Sequence, residues 1–333
     1  MTRLSSFRVS TLGLLALTLC HLLPTPAAAQ VASPSAAPAL EGESCSVQGL
    51  MDQIRRGMGS KSKAYQTYLR MLLREAAVTL PDAELRAAFE RETDPAMAEH
   101  LAAAMVARSE READREAMQA VAKRALEDRD PAVRAATVRA MRRTGALEKT
   151  GDMYERLVRD SSPEVRMEAA TNLVEDNKFV YAGQYGPATD GAVAAAAAST
   201  DPKVTAKILG NISTEKISAE SASQLKGLLG SGDAEVRQAA AMALGGVPAA
   251  EMASARESLL AMYRGEQDPG VRRALVQSIA QLGFSGAVPE LQKLRGIDPS
   301  MAPEIDAWIR VLNLGLQEWN LILREKQRLQ QVP

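Results

Sequence analysis

Histidine and cysteine are almost absent from this chain of 333 residues, which contains two of each. Outside the first 29 residues only His100 and Cys45 remain. A Ser-His-Asp triad needs a histidine, and a zinc centre needs several histidine or cysteine ligands. The composition therefore predicts no such catalysis, no metal site and no internal disulfide, and His100 is interpreted as a partly buried side chain. Cys45 could cross-link two chains, but a tolerated thiol is the favoured interpretation.

An excess of charge of one sign is also absent, because 40 basic residues stand against 41 acidic ones. Nucleic-acid binding depends on clustered lysine and arginine, so this balance predicts no nucleic-acid partner. No apolar run after residue 30 is long enough to span a bilayer, and no glycine-rich phosphate loop is present. Aromatic residues make up only 4% of the chain, which favours thin stacked layers over one large core.

The N-terminal 29 residues have the pattern of a secretory signal peptide. Arg3 and Arg8 form a basic start, an apolar segment follows from Leu12 to Leu23, and three alanines provide a cleavage site. A transmembrane anchor is the alternative, but the apolar segment is short for one. We therefore expect an exported protein, periplasmic or secreted, in which residues 30–43 form a flexible linker rich in alanine, proline and serine.

A short phrase that begins a helix recurs seven times, at steps of 30 to 39 residues. Each copy starts with Asp or Ser, which can cap a helix N-terminus. Proline usually follows, and its missing N–H group costs nothing at that position. A period of this length is typical of stacked-helix repeat proteins. The copies begin at Asp94, Asp130, Ser162, Asp201, Asp233, Asp268 and Asp298.

Apolar residues follow each start at four-residue steps, which places them on one face of a helix. Val236, Ala240 and Leu244 form one such triplet, and Thr137 is the one polar residue among the seven triplets. A second amphipathic segment precedes each phrase, so each unit is expected to be a helix, a short turn and a second helix. Glycines stand where second helices should end, at Gly145, Gly245 and Gly283.

The Asp-Pro-x-Val-Arg starts, the paired alanines after them and the closing glycines resemble HEAT repeats. The likeness is to the short bacterial form, also called PBS-lyase HEAT-like repeats, and it covers residues 82–312. It implies an all-α fold: a right-handed α-solenoid of stacked helix-turn-helix repeats with helical caps. It implies little about activity, because one fold hosts many functions.

The ends of such a stack must cover its last open apolar faces, so atypical terminal units are expected. We predict an N-terminal helical cap over residues 44–92, repeats over 93–312 and a C-terminal capping helix over 313–333. The segment from Pro303 to Leu329 is predicted to form one long helix or a close pair of helices.

The longest step between copies contains an insertion, Asp176 to Asp190, with Tyr181 and Tyr185. A protruding glycine-tyrosine loop is a candidate contact site, since tyrosine offers large amphipathic area and loops often carry function. The alternative, favoured slightly, is a loop folded back to cover a weak repeat.

The arginine after valine recurs too regularly to form a single binding site. We predict that it pairs with the N-cap aspartate or with turn carbonyls of an adjacent repeat. The four arginines are Arg134, Arg166, Arg237 and Arg272.

The resemblance implies that the second helices line the concave face of the solenoid. Positions five and six residues after each repeated valine should point most nearly to that face, and the alternative is that half of this row is inter-repeat core. With the two tyrosines, the candidate partner-binding residues are Val138, Arg139, Thr171, Leu209, Met242, Gln277, Tyr181 and Tyr185.

Together these patterns predict a non-catalytic exported scaffold without a cofactor, which binds a protein or peptide partner along its concave face. One alternative is an enzyme or enzyme subunit of the chromophore-lyase type, holding a small molecule in the groove. Another is a structural envelope protein that self-associates through the C-terminal helix around Trp308 and Trp319. Partner identity and oligomeric state are left open.

Overall fold

The computed structural model describes residues 47–59, 62–79, 81–112, 115–150 and 152–331. All described residues belong to one compact unit of the chain, residues 43–333. The predicted signal peptide, the linker and Cys45 lie outside the described residues. Within the described ranges the secondary structure is helical, without strands, which confirms the all-α prediction.

The α-helices of the described residues begin and end as follows. They are α1 Val47–Met58, α2 Lys63–Thr79, α3 Asp82–Arg91, α4 Pro95–Glu112, α5 Arg115–Glu127, α6 Pro131–Ala140, α7 Ala146–Thr150, α8 Met153–Leu157, α9 Pro163–Glu175, α10 Gly186–Ala198, α11 Pro202–Leu209, α12 Ala219–Leu228, α13 Ala234–Leu244, α14 Met252–Tyr263, α15 Pro269–Gly283, α16 Val288–Ile297, α17 Ala302–Leu312 and α18 Trp319–Gln331.

These helices stack in two rows, as a solenoid of helical pairs does. The B row consists of α2, α4, α6, α9, α11, α13, α15 and α17, each packed on the next. The A row consists of α1, α3, α5, α8, α10, α12, α14 and α16, and each of them packs on the B helix that follows it. Helices α1 to α3 occupy the predicted N-terminal cap, and α2 already stacks on α4.

The repeated phrase forms the helix starts that its chemistry predicts. Asp130, Asp201, Asp233 and Asp268 each accept a hydrogen bond from a backbone N–H two residues later, at 2.7–3.1 Å. Ser162 caps α9 by position, but its side chain makes no cap hydrogen bond. Aspartate therefore satisfies the free N–H groups at four clear copies, and serine does not at the fifth.

The four-residue spacing places the repeated valines in the core. Val133, Val165, Val204 and Val271 are at most 1% exposed. Thr137, the polar exception, is equally buried, and its hydroxyl donates to the Val133 carbonyl at 2.8 Å. That bond within the helix satisfies the hydroxyl, so a polar residue fits a core position.

The three glycines at B-helix ends serve different purposes. Gly145 has φ +64°, the left-handed conformation that favours glycine. Gly245 has an ordinary helical φ of −64°. A Cβ at Gly245 would lie 3.1 Å from Ser278 Cβ on the neighbouring B helix, so a small residue is needed there for close packing. Helix α15 continues through Gly283, and Phe284 takes the positive φ, at 48°.

The C-terminal end is a close pair of helices, α17 and α18. Trp308 of α17 is buried and stacks on Trp319 of α18, with ring centroids 5.4 Å apart. Lys326 Nζ lies 4.4 Å from the centre of the Trp308 ring and 2.8 Å from Glu304 Oε1. Both tryptophans thus hold α18 over the end of the B row, the role expected of a terminal cap.

Candidate functional site

The structure divides the predicted partner-binding row into a buried half and a surface half. The position five residues after the valine is buried in every repeat, so the inclusion of Val138 and Leu209 is wrong: both are at most 2% exposed. The position six residues after the valine reaches the surface. The surface members are Arg139, Thr171, Gly210, Met242 and Gln277.

The surface half of the row begins with a network of ion pairs. Arg139 Nε lies 3.0 Å from Glu99 Oε2, and its Nη1 lies 3.2 Å from Glu164 and 3.3 Å from Glu168. Burial acts to lower the pKa of Arg139, but Glu99 and Glu168 outweigh it and raise the pKa. Since three carboxylates already surround Arg139, this end of the row is not the sparsely charged groove that the sequence predicts.

The row becomes less charged toward α13 and α15. Lys207 Nζ donates to the Thr171 hydroxyl at 2.6 Å, which bridges α9 and α11. Met242 is 38% exposed on α13, and Gln277 is half-buried on α15. A neutral surface with an exposed methionine suits contact with an apolar side chain of a partner.

The repeated arginines join neighbouring repeats. Arg134 binds both carboxylate oxygens of Asp160 at 2.8 Å, and Arg237 binds both oxygens of Glu266 at 2.7 and 3.0 Å. These acids stand two residues before the next N-cap, a position that the prediction missed. The turn carbonyls bound by Arg134 belong to its own repeat, including Asp128 at 2.7 Å.

Arg166 and Arg272 follow the predicted pairing with the next N-cap aspartate. Arg166 Nη2 lies 2.7 Å from Asp201 Oδ2, and Arg272 Nη1 lies 3.1 Å from Asp298 Oδ2. The acid two residues before the N-cap could have been found from the sequence, because it can accept the N-cap N–H, as Glu266 does from Asp268. Hydrogen bonds from Arg237 lower the Glu266 pKa to about 2, against the effect of burial.

The predicted insertion is a compact turn followed by a helix. Residues 176–180 continue α9 as a wider, π-type turn, and α10 begins at Gly186, inside the predicted loop. Asn177 is buried and fixes this turn: its side chain bonds to Thr189 at 2.7 Å, and its carbonyl accepts from Gly183 at 2.8 Å. The segment is thus an ordered connection between repeats.

The two tyrosines lie together on this connection. Their ring centroids are 5.1 Å apart, and the Glu148 carboxylate acts on the pKa of both hydroxyls. Burial, and then Glu148, raises the pKa of Tyr181, while the interaction with Glu148 is the main cause that raises the pKa of Tyr185. Tyr181 is folded back against Gly145, whereas Tyr185 is 39% exposed.

Next to the tyrosines is an exposed apolar surface with a cation, which we call the edge patch: Phe179, Val180, Tyr185 and Arg143. Phe179 is 55% exposed and Val180 is 41% exposed. The Arg143 guanidinium lies 4.3 Å from the centre of the Phe179 ring, and its Nε is 2.6 Å from Glu175. The edge patch therefore offers apolar area beside a partly neutralised charge.

Below the edge patch lies a buried carboxyl group that sequence reasoning missed. Asp176 is 2% exposed, and burial raises its pKa to about 6. Backbone amides of residues 143–146 are directed at the carboxylate and act to lower the pKa, but none forms a hydrogen bond of ordinary geometry with it. Arg143 and Gly145 have φ 60° and 64°, so this turn aims its amides inward.

The described residues contain no group of three or more histidine, cysteine, aspartate or glutamate side chains placed to hold a metal ion. Within the same residues, no helix combines the length and apolar character needed to cross a bilayer. The recognisable features are surfaces and inter-repeat contacts.

Comparison with known families identifies the type of repeat in part of this chain. A family model described as HEAT repeats matches residues 189–280, which include α11, α13 and most of α15. The chain contains HEAT repeats. The two rows of helical pairs extend the same packing beyond the matched residues, from α3 to α17. No curated protein matches the sequence.

Several solved structures resemble the HEAT-repeat chain at low identity. An engineered protein is 20% identical, with 79% of this chain and 78% of that chain covered and a TM-score of 0.38. YibA of Escherichia coli is 14% identical, with 78% and 92% covered and a TM-score of 0.38. Human deoxyhypusine hydroxylase, in complex with glycerol, is 17% identical, with 79% and 94% covered and a TM-score of 0.28.

Proposed function

We propose that this HEAT-repeat chain is a non-catalytic exported scaffold that binds a protein or peptide partner. The edge patch is the observation that carries the proposal. Neighbouring exposed apolar side chains often mark a contact site, and here a half-exposed phenylalanine, a valine and a tyrosine lie in the same short segment. Export through a cleaved signal peptide, to the periplasm or the medium, belongs to the proposal.

The edge patch is well prepared for binding, because its backbone is already fixed. Asn177 holds the turn beneath it, and the Tyr185 ring stacks on the Tyr181 ring. Binding of a partner over Phe179 would therefore cost little free energy for ordering this segment, because the segment is already ordered. Aromatic side chains on a rigid support are typical binding anchors.

The B-row surface is the second part of the proposed contact. Met242 and Gln277 present an uncharged area, while Arg139 is surrounded by carboxylates. We therefore assign the partner's apolar residues to Met242 and treat Arg139 as a structural link between repeats. The proposed contact surface is therefore only the part of the predicted concave face that α13 and α15 form.

Affinity capture from native envelope extract tests the proposal. The mature chain should recover one protein reproducibly, and the double variant Phe179→Ala with Tyr185→Ala should lose it. The matched control is Leu314→Ala with Leu321→Ala, since those side chains are 53% and 40% exposed near α17 and α18, away from the edge patch. Equal recovery by both double variants would remove the edge patch from the binding surface.

The two alternatives predict different results in the same experiment. Recovery of a bound pigment or other small molecule without a protein would favour the lyase-type enzyme. A mass that depends on concentration would favour self-association. Trp308 is buried and Trp319 is partly covered by stacking on it, so the two side chains give that second alternative little free surface.

A further inference from the structure

The edge patch is assembled across a contact between two segments that lie about thirty residues apart in the sequence. Residues 143–146, which end the turn after α6 and begin α7, form one side, and residues 176–181 form the other. The Arg143 guanidinium crosses the contact to lie over the Phe179 ring. We call this contact the patch joint. Any change that separates its two sides also takes the edge patch apart.

The two sides of the patch joint approach each other closely at a glycine. A Cβ at Gly145 would lie 2.7 Å from the Tyr181 hydroxyl and 3.8 Å from Val180 Cγ1, so the backbone of the turn packs directly on these side chains. Arg143 and Gly145 both have positive φ, and this conformation turns the amides of residues 143–146 toward the other segment. The joint therefore has backbone N–H groups on its inner side.

A carboxylate on the opposite side faces these amides. Asp176 is the first residue of the π-type turn and is 2% exposed. Neither carboxylate oxygen makes a hydrogen bond of ordinary geometry, although the amides of residues 143–146 are directed at them. A buried ionised group without formed hydrogen bonds is costly, and water would supply the missing bonds. The ionised carboxylate therefore favours a joint that opens far enough to admit water.

The charged side chains around the patch joint have contacts with groups other than Asp176. Two tyrosines face Asp176, Tyr154 of α8 and Tyr181, and burial first, with the Asp176 charge among the further causes, raises the pKa of both. Both hydroxyls therefore stay protonated at neutral pH. The other charged groups of the elements packed here are Arg142 with Glu168, Arg143 with Glu175, Glu148 near Tyr181, Lys178 over the Phe179 ring, Asp190 with the Ser218 N–H group and Lys207 with the Thr171 hydroxyl.

Protonation of Asp176 removes the cost of burying its charge. Burial raises the pKa of Asp176 to about 6, against the effect of the amides, whereas a carboxyl open to water has its ordinary value of 3.8. The closed joint therefore holds a proton that the open joint releases as the pH rises through this interval. From pH 5 to pH 7, opening should become about tenfold more favourable. Below pH 3.8 both forms are protonated, and the pH has no further effect.

We propose that the patch joint is a pH-sensitive contact that regulates the edge patch. With Asp176 protonated the joint is closed and the patch is assembled. With Asp176 ionised the joint opens to water, and Phe179 separates from Arg143. A partner of the edge patch would therefore bind an arrangement that acid stabilises. This last consequence rests on the proposed function, whereas the opening itself is a property of the chain alone.

Hydrogen exchange of the whole mature chain, without any partner, tests the proposal. The reporters are the backbone amides of Glu148, Tyr181 and Gly183, whose hydrogen-bond acceptors lie in the two segments. Their protection factors, corrected for the effect of pH on free-amide exchange, should fall about tenfold from pH 5 to pH 7. The amides of Gly230 and Ser231, in the turn after α12, should keep their protection.

Two variants assign the effect to one carboxyl. Asp176→Asn has the same shape and cannot ionise, so its protection factors at the patch joint should be equal at pH 5 and pH 7. The matched control Asp152→Asn removes an exposed carboxyl just before α8 and should keep the fall of the wild type. Thermal melting shows whether both variants fold. The comparison of the two turns within the wild type tests the proposal without any variant.

Three results would overturn the proposal: equal protection of the patch joint at both pH values in the wild type, the same fall in Asp176→Asn, or an equal fall at the turn after α12. The second would assign the effect to another group, and the third would mean that the whole stack loosens. None of these measurements involves a partner. Capture by the double variant Phe179→Ala with Tyr185→Ala therefore tests the proposed function separately.

Discussion

At the scale of single residues, the acidic residue two positions before the N-cap makes hydrogen bonds both within its own turn and to the preceding repeat. Glu266 accepts two bonds from Arg237 and also the N–H groups of Gln267 and Asp268 at 2.8 Å. One buried carboxylate therefore closes its own turn and holds the preceding repeat. We expect Glu266→Gln to keep the turn bonds and to lower the free energy of unfolding by about 2 kcal/mol, since it weakens charge-assisted bonds.

Urea unfolding at pH 7 measures this loss, and Glu235→Gln, an exposed change on α13, serves as the control. The pH dependence gives a second check. The folded pKa of Glu266 is about 2, below its ordinary value of 4.5. Its stabilisation is therefore present above pH 4.5 and is lost as the pH falls through 2. A deficit that stayed constant down to pH 2 would contradict the ion-pair explanation.

The pKa of Asp176 is shifted in the opposite direction, so its effect on stability has the opposite pH dependence. Its folded pKa, about 6, lies above its ordinary value of 3.8. The stability that the protonated form contributes is complete below pH 3.8 and is lost as the pH rises through 6. Between pH 5 and pH 7 the wild type should lose about 1–2 kcal/mol that Asp176→Asn does not lose.

Urea unfolding of both proteins across this range gives the difference directly, because other titrating groups cancel. Asp152→Asn is the matched control, as Asp152 is exposed and makes no cap hydrogen bond. It should follow the wild-type curve. Parallel curves for the wild type and Asp176→Asn would mean that the Asp176 carboxyl is not desolvated.

At the scale of the element, the turn after α6 shows how a backbone conformation supports the edge patch. Gly145 has φ +64°, and a Cβ there would lie 2.7 Å from the Tyr181 hydroxyl. Gly145→Ala should therefore cost about 1–2 kcal/mol of unfolding free energy from the left-handed conformation alone. It should also push Tyr181 away from Glu148, which tyrosine fluorescence and partner capture would detect.

Gly227→Ala is the control for this prediction. Gly227 lies within α12, and a Cβ there would meet no atom within 4 Å. Replacing glycine by alanine inside a helix should raise stability by up to about 1 kcal/mol. If Gly145→Ala behaved like Gly227→Ala, the turn would not require a positive φ.

The helix starts and the core were predictable because their rules are local. Whether an aspartate caps the N–H group two residues later, or a valine at a four-residue spacing lies in the core, is decided within one short stretch of chain. The surface row was only half predictable, since residues such as Val138 and Arg139 are 100° apart on the helix and the neighbouring repeat decides which one is buried. Asp176 could not be placed, because the turn that buries it lies about thirty residues earlier in the sequence.

At the scale of the whole molecule, each repeat contacts its neighbours and little else, so damage should remain local. Val236 of α13 is buried, and α13 packs on α11 and α15. Val236→Asp would bury a charge between these helices and should cost several kcal/mol. Met242→Asp places the same charge at an exposed position on the same helix, and it should cost less than about 0.5 kcal/mol.

Hydrogen exchange followed by mass spectrometry would show how far the damage spreads. In a one-dimensional stack, exchange of Val236→Asp should accelerate in α11, α13 and α15, while α4 and α6 keep their protection. Uniform acceleration would instead mean that the repeats unfold as one cooperative body. Exchange that stayed slow everywhere until global unfolding would mean the same. The distinction bears on binding, because locally coupled repeats let the edge patch on the α9–α10 connection act independently of distant repeats.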